Sequence, residues 1–131
     1  TTKSKRINLY LAMVPPYSII RKISASFWKC KIEGGKIHDI AFLLRHFKKS
    51  MELCGTKVIK IINHEFNPQG ITIIAILSDS HAVIHTWPEY NFIMVDILTC
   101  GKQALPSKAI DYLKSQFNPN DVEISQEVIK L

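Results

Sequence analysis

Residues 78–101, with the sequence SDSHAVIHTWPEYNFIMVDILTCG, place several chemically active side chains in an otherwise apolar stretch. Ser80 and Cys100 supply a hydroxyl and a thiol, and His81 and His85 supply imidazoles. Serine, cysteine and histidine commonly act as nucleophiles or as general acids and bases. This stretch is therefore the first candidate for an active site.

Two common kinds of site do not fit this stretch. Ser80 and His85 lie about 16 Å apart in a straight strand, too far for a serine hydrolase, and no GxSxG turn is present. His81 and His85 could share a strand face as metal ligands, but no third ligand accompanies them, so we expect no metal. From the residues alone, a cysteine such as Cys100 is more often an inert buried thiol than a reactive one, and an aromatic residue such as Phe66 is more often a core side chain than a ligand contact.

The composition predicts a single domain over residues 1–131. The apolar fraction of 47% is enough to build a core. No apolar window is long enough to cross a membrane and the N-terminal segment does not resemble an export signal, so we expect a cytoplasmic protein without membrane contact. Three widely spaced cysteines without a CxxC pair are typical of reduced thiols.

The net charge of +6 is concentrated in the first half of the chain, where most of the basic residues lie. Such asymmetry can mark a nucleic-acid-binding protein. The basic residues follow no DNA- or RNA-binding pattern, however. We therefore expect no nucleic-acid partner.

The spacing of apolar and polar residues predicts one strand and one helix in the first half of the chain. Residues 6–14 alternate apolar and polar side chains and end at two prolines, which predicts a first strand. Residues 17–36 fit either a short helix or an extra hairpin. Asp39 is a predicted cap for a helix over residues 40–54, whose apolar side chains recur near a 3.6-residue period before Gly55.

The second half predicts an antiparallel meander. Residues 57–66, 71–77 and 82–98 form extended runs, the last interrupted at TWPEYN, and short turn sequences separate them. A helix over 108–117 and a strand over 121–129 follow. The order βαββββαβ predicts an α+β fold, a two-layer sandwich of an antiparallel sheet with helices on one face.

Hairpin pairing predicts which of these side chains meet. A turn within WPEYN places Ser80 opposite a residue close to Cys100. A turn at the SDS sequence places Thr72 opposite His85. The hydroxyl and the thiol are thus expected at one end of the sheet, and His85 at the other.

The hairpin resembles the short prokaryotic, class 1 S-adenosylmethionine decarboxylases, which carry an acidic residue before SH, then IHTWPEY, an aspartate and TCG. The upstream HEFNPQGIT is similar to the H-x-F-x-P-x-G segment of that family. The resemblance covers about residues 37–117. Residues 17–36 look like an insertion, and the first strand lacks the acidic residue expected there.

The resemblance implies a proenzyme that cleaves itself between Asp79 and Ser80, leaving a β chain of residues 1–79 and an α chain of residues 80–131. Ser80 becomes a pyruvoyl group that binds the substrate amine as a Schiff base, so neither a metal nor pyridoxal phosphate is expected. The implied reaction is decarboxylation of S-adenosylmethionine to the aminopropyl donor for spermidine synthesis.

The resemblance also implies a role for each matched side chain. Cys100 is the proton donor to the product, His85 assists processing, and Thr72 supports the same step. Phe66 stacks on adenine together with His85, and Glu89 accepts hydrogen bonds from the ribose hydroxyls. These five positions and the Asp79–Ser80 bond form the predicted site.

Two departures from the family pattern keep alternatives open. Asp79 replaces the usual glutamate and Asn91 replaces the usual glycine. One alternative is a paralogue that decarboxylates arginine or ornithine with the same pyruvoyl chemistry. Another is a non-processing, non-catalytic partner subunit, which Asp79 and the unmatched residues 17–36 favour.

The hairpin geometry predicts a homodimer. Phe66 and Glu89 fall at the His85 end of the sheet, too far from Ser80 and Cys100 to share one substrate within a protomer. A two-fold dimer with oppositely directed sheets brings these ends together. We therefore expect α/β/β/α layers with two composite active sites, as the resemblance also implies.

Overall fold

The structure is a computed structural model and describes residues 19–131. The strand predicted over residues 6–14 lies outside the described residues. Within them, the helices and strands follow the order βαββββαβ. They are β1 (Ile19–Trp28), α1 (Ile40–Leu53), β2 (Val58–Glu65), β3 (Ile71–Leu77), β4 (Ser80–Trp87), β5 (Phe92–Cys100), α2 (Pro106–Phe117) and β6 (Asp121–Lys130), with short 3-10 helices at Glu33–His38 and Pro88–Tyr90.

The six described strands form one sheet in the order β2-β3-β4-β5-β1-β6. Every neighbouring pair is antiparallel. The predicted meander is confirmed for β2 to β5, whose short turns keep consecutive strands adjacent. β1 then enters between β5 and β6, which makes it an interior strand.

The interpretation of residues 17–36 is wrong. Among the described residues of this range, Ile19–Trp28 form β1, which pairs with β5 on one side and β6 on the other and is therefore a strand of the main sheet and not an inserted hairpin. Ile23, Ala25 and Phe27 alternate with polar residues and are buried. Apolar residues at both ends of β1 obscure this alternation in the sequence. The 3-10 helix at Glu33–His38 then leads to α1.

The helix predicted from Asp39 is confirmed. The Asp39 carboxylate accepts hydrogen bonds from the backbone N–H groups of Ala41 and Phe42, at 2.9 and 3.2 Å. These bonds satisfy two donors that the first turn of a helix otherwise leaves unpaired. Leu43 and Phe47 are completely or almost completely buried by packing toward the sheet.

Both helices cover the same face of the sheet, as predicted for a two-layer α+β fold. The core contains alternate residues of the central strands, including Ile73, Ile84 and Val95, together with the apolar side of each helix. The Phe27 ring of the sheet meets the Phe117 ring of α2 edge-on, with centroids 5.5 Å apart. No helix within residues 19–131 is long and apolar enough to cross a membrane.

The other face of the sheet, here called the open face, carries no helix within the described residues. Side chains alternate along each strand, so the neighbours of the buried positions point to this face. Ile62, Ile74 and Ile76 are 47%, 37% and 42% exposed. An apolar surface on one side of a sheet is typical of a contact surface.

The cap of α1 provides a test of how strongly this helix is anchored. Asp39→Ala removes both side-chain hydrogen bonds and should lower the free energy of unfolding by about 1 kcal/mol. Asp39→Asn keeps an oxygen acceptor and should differ little from the parent. Urea unfolding followed by circular dichroism measures both. Equal losses in the two variants would contradict the capping role.

Candidate active site

Ser80 begins β4 directly after a tight turn at residues 78–79. The paired residues Leu77 and Ser80 close this turn across β3 and β4. Asp79 has a φ of 63°, in the left-handed region that aspartate tolerates better than most residues. The turn therefore presents the Asp79–Ser80 peptide bond at the end of the sheet.

Cys100 lies beside that peptide bond at the end of β5. Its Sγ donates a hydrogen bond to the carbonyl oxygen of Asp79 at 2.9 Å. The β4–β5 register pairs His81 with Leu98, so Ser80 and Cys100 occupy the same end of adjacent strands, as predicted. The thiol thus contacts the carbonyl group that precedes Ser80.

The environment of Cys100 keeps its thiol protonated. Burial raises the pKa of Cys100, and the negative charge of Asp79 raises it further. A cavity of about 230 Å³ adjoins this end of the sheet and is lined in part by Asp79, Cys100, Gly101 and Lys57. A neutral S–H group next to a cavity can donate a proton to a bound molecule.

The opposite end of β4 carries His85. The β3–β4 register pairs Thr72 with His85, which confirms the predicted pairing. The Thr72 hydroxyl forms a hydrogen bond with Nδ1 of His85. This contact fixes the orientation of the imidazole and leaves its Nε2 free for another partner.

Two aromatic rings lie next to His85. The ring centroid of Phe66 is 5.6 Å away, and that of Trp87 is 4.0 Å away. Trp87 was not assigned a role from the sequence, although its spacing of two from His85 on one strand predicts the same face. Together Phe66, His85 and Trp87 form an aromatic platform.

Glu89 lies next to this platform, in the 3-10 turn between β4 and β5. Gln69 donates a hydrogen bond from its Nε2 to Oε2 of Glu89 at 2.9 Å, which joins this turn to the β2–β3 turn. Burial lowers the pKa of His85, while the Glu89 carboxylate acts in the opposite direction. His85 is therefore held neutral at neutral pH. No sequence pattern singled out Gln69.

The predicted residues form two clusters, one at each end of β4. Ser80 and Cys100 form the first, and Thr72, His85 and their neighbours form the second. Five residues of extended strand separate Ser80 from His85, or about 16 Å. The described residues contain no group of three or more His, Cys, Asp or Glu side chains arranged to hold a metal.

Comparison with known proteins agrees with this fold. A family model described as S-adenosylmethionine decarboxylase matches residues 21–128. S-adenosylmethionine decarboxylase proenzyme 2 of Bacillus cereus is 40% identical over 95 residues, which are 72% of this chain and 77% of that protein. The S-adenosylmethionine decarboxylase proenzyme of Prochlorococcus marinus is 39% identical over 84 residues, covering 64% and 69% of the two chains.

A solved structure shows the same likeness. The crystal structure of the adenosylmethionine decarboxylase from Aquifex aeolicus matches with a TM-score of 0.76 and 25% identity, over 86% of this chain and 92% of that one. The fold and the relatives define an enzyme of the decarboxylase class. The chain belongs to the S-adenosylmethionine decarboxylase family. Since the match begins at residue 21, β1 is part of the family fold and not an insertion.

The electrostatics of His85 can be tested by NMR in a Ser80→Ala precursor, which keeps the chain intact. The His85 ring protons should titrate below the ordinary histidine range, because burial disfavours the imidazolium. Glu89→Gln should lower the pKa of His85 further, since it removes the charge that raises it. Glu52→Gln on α1 is the matched control and should leave the titration unchanged. An upward shift in Glu89→Gln would contradict this assignment.

Proposed function

We propose that this chain decarboxylates S-adenosylmethionine after converting its own Ser80 into a pyruvoyl group. The observation that carries the proposal is the hydrogen bond from the Cys100 thiol to the Asp79 carbonyl, directly before Ser80. This contact supports a role for the Cys100 thiol as a hydrogen-bond donor to the carbonyl group that Ser80 would attack. The aromatic platform and Glu89 add a binding surface suited to a nucleoside.

Self-processing begins when the Ser80 hydroxyl attacks the carbonyl carbon of Asp79. The carbonyl oxygen gains negative charge, and the Cys100 S–H group stabilises it through the existing hydrogen bond. The C–N bond then breaks, the Ser80 nitrogen takes a proton, and an ester joins the two residues. Elimination across the Cα–Cβ bond of residue 80 releases the Asp79 carboxylate, and hydrolysis of the remaining enamine releases ammonia and leaves the pyruvoyl group.

The pyruvoyl group supplies an electron sink for decarboxylation of an α-amino acid. The chain's own residues supply the proton and the binding contacts. Cys100 keeps its proton at neutral pH because burial and Asp79 raise its pKa. It can therefore deliver that proton to the substrate carbon that has lost its carboxylate.

The second cluster supports S-adenosylmethionine over arginine or ornithine as the substrate. Adenine can stack on Phe66 and the neutral His85 ring, and the π-face also favours the sulfonium cation. Glu89, oriented by Gln69, has a carboxylate free to accept hydrogen bonds from ribose. Arginine and ornithine contain no nucleoside for these groups to hold. The product would be the aminopropyl donor for spermidine synthesis.

A homodimer would complete the site. The two clusters are too far apart to share one substrate in a protomer, and the open face offers an apolar surface for a second copy. Packing two open faces with their strands in opposite directions would place Cys100 of one protomer opposite Phe66 and His85 of its partner. Each dimer would then have α/β/β/α layers and two composite sites.

The first test combines intact mass with carbon dioxide release. The wild-type chain should separate into two fragments at the Asp79–Ser80 bond, and the processed protein should release labelled carbon dioxide from carboxyl-labelled S-adenosylmethionine. Ser80→Ala should remain one chain. Cys100→Ala should cleave about tenfold more slowly, because it loses one hydrogen bond to the developing oxyanion.

The same experiment separates the alternatives. A chain that never cleaves supports the non-catalytic partner subunit. A processed chain that releases carbon dioxide from arginine or ornithine, but not from S-adenosylmethionine, assigns the paralogous activity. A processed chain inactive toward all three substrates would reject the proposed decarboxylation.

The composite site can be tested by co-expressing Cys100→Ala with Phe66→Ala. Each variant should process but show little activity alone. Random mixing should restore about one quarter of the wild-type activity, since half of the dimers have one intact site. Co-expression of Cys100→Ala with Ser80→Ala is the matched control, because these changes disable both sites of a mixed dimer. Absence of rescue in isolated mixed dimers of the first pair would reject the shared site.

A further inference from the structure

The loop that follows Cys100 is held by one side chain from β1. Nη1 of Arg21 donates hydrogen bonds to the carbonyl oxygens of Gly101, Lys102 and Ala104 at 3.0, 3.3 and 2.9 Å. An arginine side chain carries several donors in a fixed plane and remains charged at all relevant pH values. Three carbonyl groups of the loop therefore converge on one nitrogen of Arg21.

Backbone hydrogen bonds attach this loop at both ends. The Gly101 N–H donates to the carbonyl of Ile19 at 2.8 Å, and the Leu105 N–H donates to that of Cys54 at 2.9 Å. Arg21 contacts the carbonyls between these two attachments. Its role is thus to fix the middle of the loop, where the backbone ladder of β1 and β5 has ended.

The same loop forms a wall of the cavity beside Cys100. Gly101 and Ala104 line the cavity together with Asp79 and Cys100. The fit on the other side of the loop is close, since a Cβ added to Gly55 would lie 3.2 Å from the carbonyl oxygen of Gln103. A displacement of the loop would therefore change the position of the Cys100 backbone that carries the thiol.

We propose that Arg21 is a positioning residue, which holds the 101–104 loop so that the Cys100 thiol remains against the Asp79 carbonyl. The inference rests on the proposed function for its effect on catalysis. Its effect on the precursor is independent of the substrate. β1 pairs Ile20 with Cys100, which places Arg21 one residue from the thiol-bearing position. No atom of Arg21 needs to touch the substrate.

The first experiment measures Cys100 in the uncleaved Ser80→Ala precursor. Adding Arg21→Met removes the charge and the donors but retains a long apolar stem. Alkylation of Cys100 by iodoacetamide, followed by peptide mass, should become about fivefold faster as the thiol leaves the carbonyl and becomes accessible. Arg21→Lys should give an intermediate rate, because it keeps the positive charge on a shorter side chain whose nitrogen reaches the loop carbonyls less well.

The second experiment measures cleavage and turnover in the chain with Ser80 intact. Arg21→Met should cleave at Asp79–Ser80 about tenfold more slowly, the effect expected when one hydrogen bond to the reacting carbonyl is lost. In processed protein, kcat should fall with KM nearly unchanged, because Arg21 bonds to the 101–104 loop and to none of the nucleoside-binding side chains. A purely structural role would instead change KM and kcat together.

Arg45→Met is the matched control, because it removes an exposed arginine on α1 and should leave alkylation, cleavage and kcat at parental values. If Arg21→Met does not fold, the same measurements on Arg21→Lys decide, since it keeps the charge. Folded variants with parental alkylation and cleavage rates would overturn the proposal. If the parent itself never cleaves, the proposed function fails, while the alkylation rates still test Arg21.

Discussion

The register of the β3–β4–β5 hairpins is the constraint on which the candidate site depends. Pairing of Thr72 with His85 places the hydroxyl beside the imidazole, and pairing of His81 with Leu98 places Cys100 beside the Asp79 carbonyl. A shift by one residue would turn each of these side chains to the other face of the sheet. The buried alternation that includes Ile73 and Ile84 prevents such a shift, because it would expose the core. The same strand register therefore determines both the core packing and the geometry of the candidate site.

The same alternation divides the sheet into two faces with different tasks. One face is filled by the helices and provides stability. The open face retains exposed isoleucines, and the aromatic platform occupies one end of it. The candidate-site side chains on β3, β4 and β5 thus extend from strands whose backbones are held rigidly by the hydrogen-bond ladder. Rigid strands limit the motion of these side chains better than loops do.

Burial gives the two clusters a common electrostatic character. It raises the pKa of Cys100 and lowers that of His85, so both groups are uncharged near neutral pH. The thiol remains a donor of a proton, and the imidazole remains free to stack or to accept one. Nearby carboxylates act upward on both pKa values: Asp79 raises that of Cys100, and Glu89 partly offsets the lowering of that of His85. Opposite shifts thus follow from one physical cause, which is loss of hydration.

The sequence by itself determined the α+β class, the cap of α1, the meander and the pairing of Thr72 with His85, because these features depend on local periodicity and short turns. Only the tertiary structure decided the place of β1, whose burial depends on β5 and β6, strands that follow it by many residues. It also decided the contacts of Arg21 with the loop after Cys100. Such contacts join residues about eighty positions apart, and no local pattern encodes them. They exist only because the sheet brings its first and fifth strands side by side.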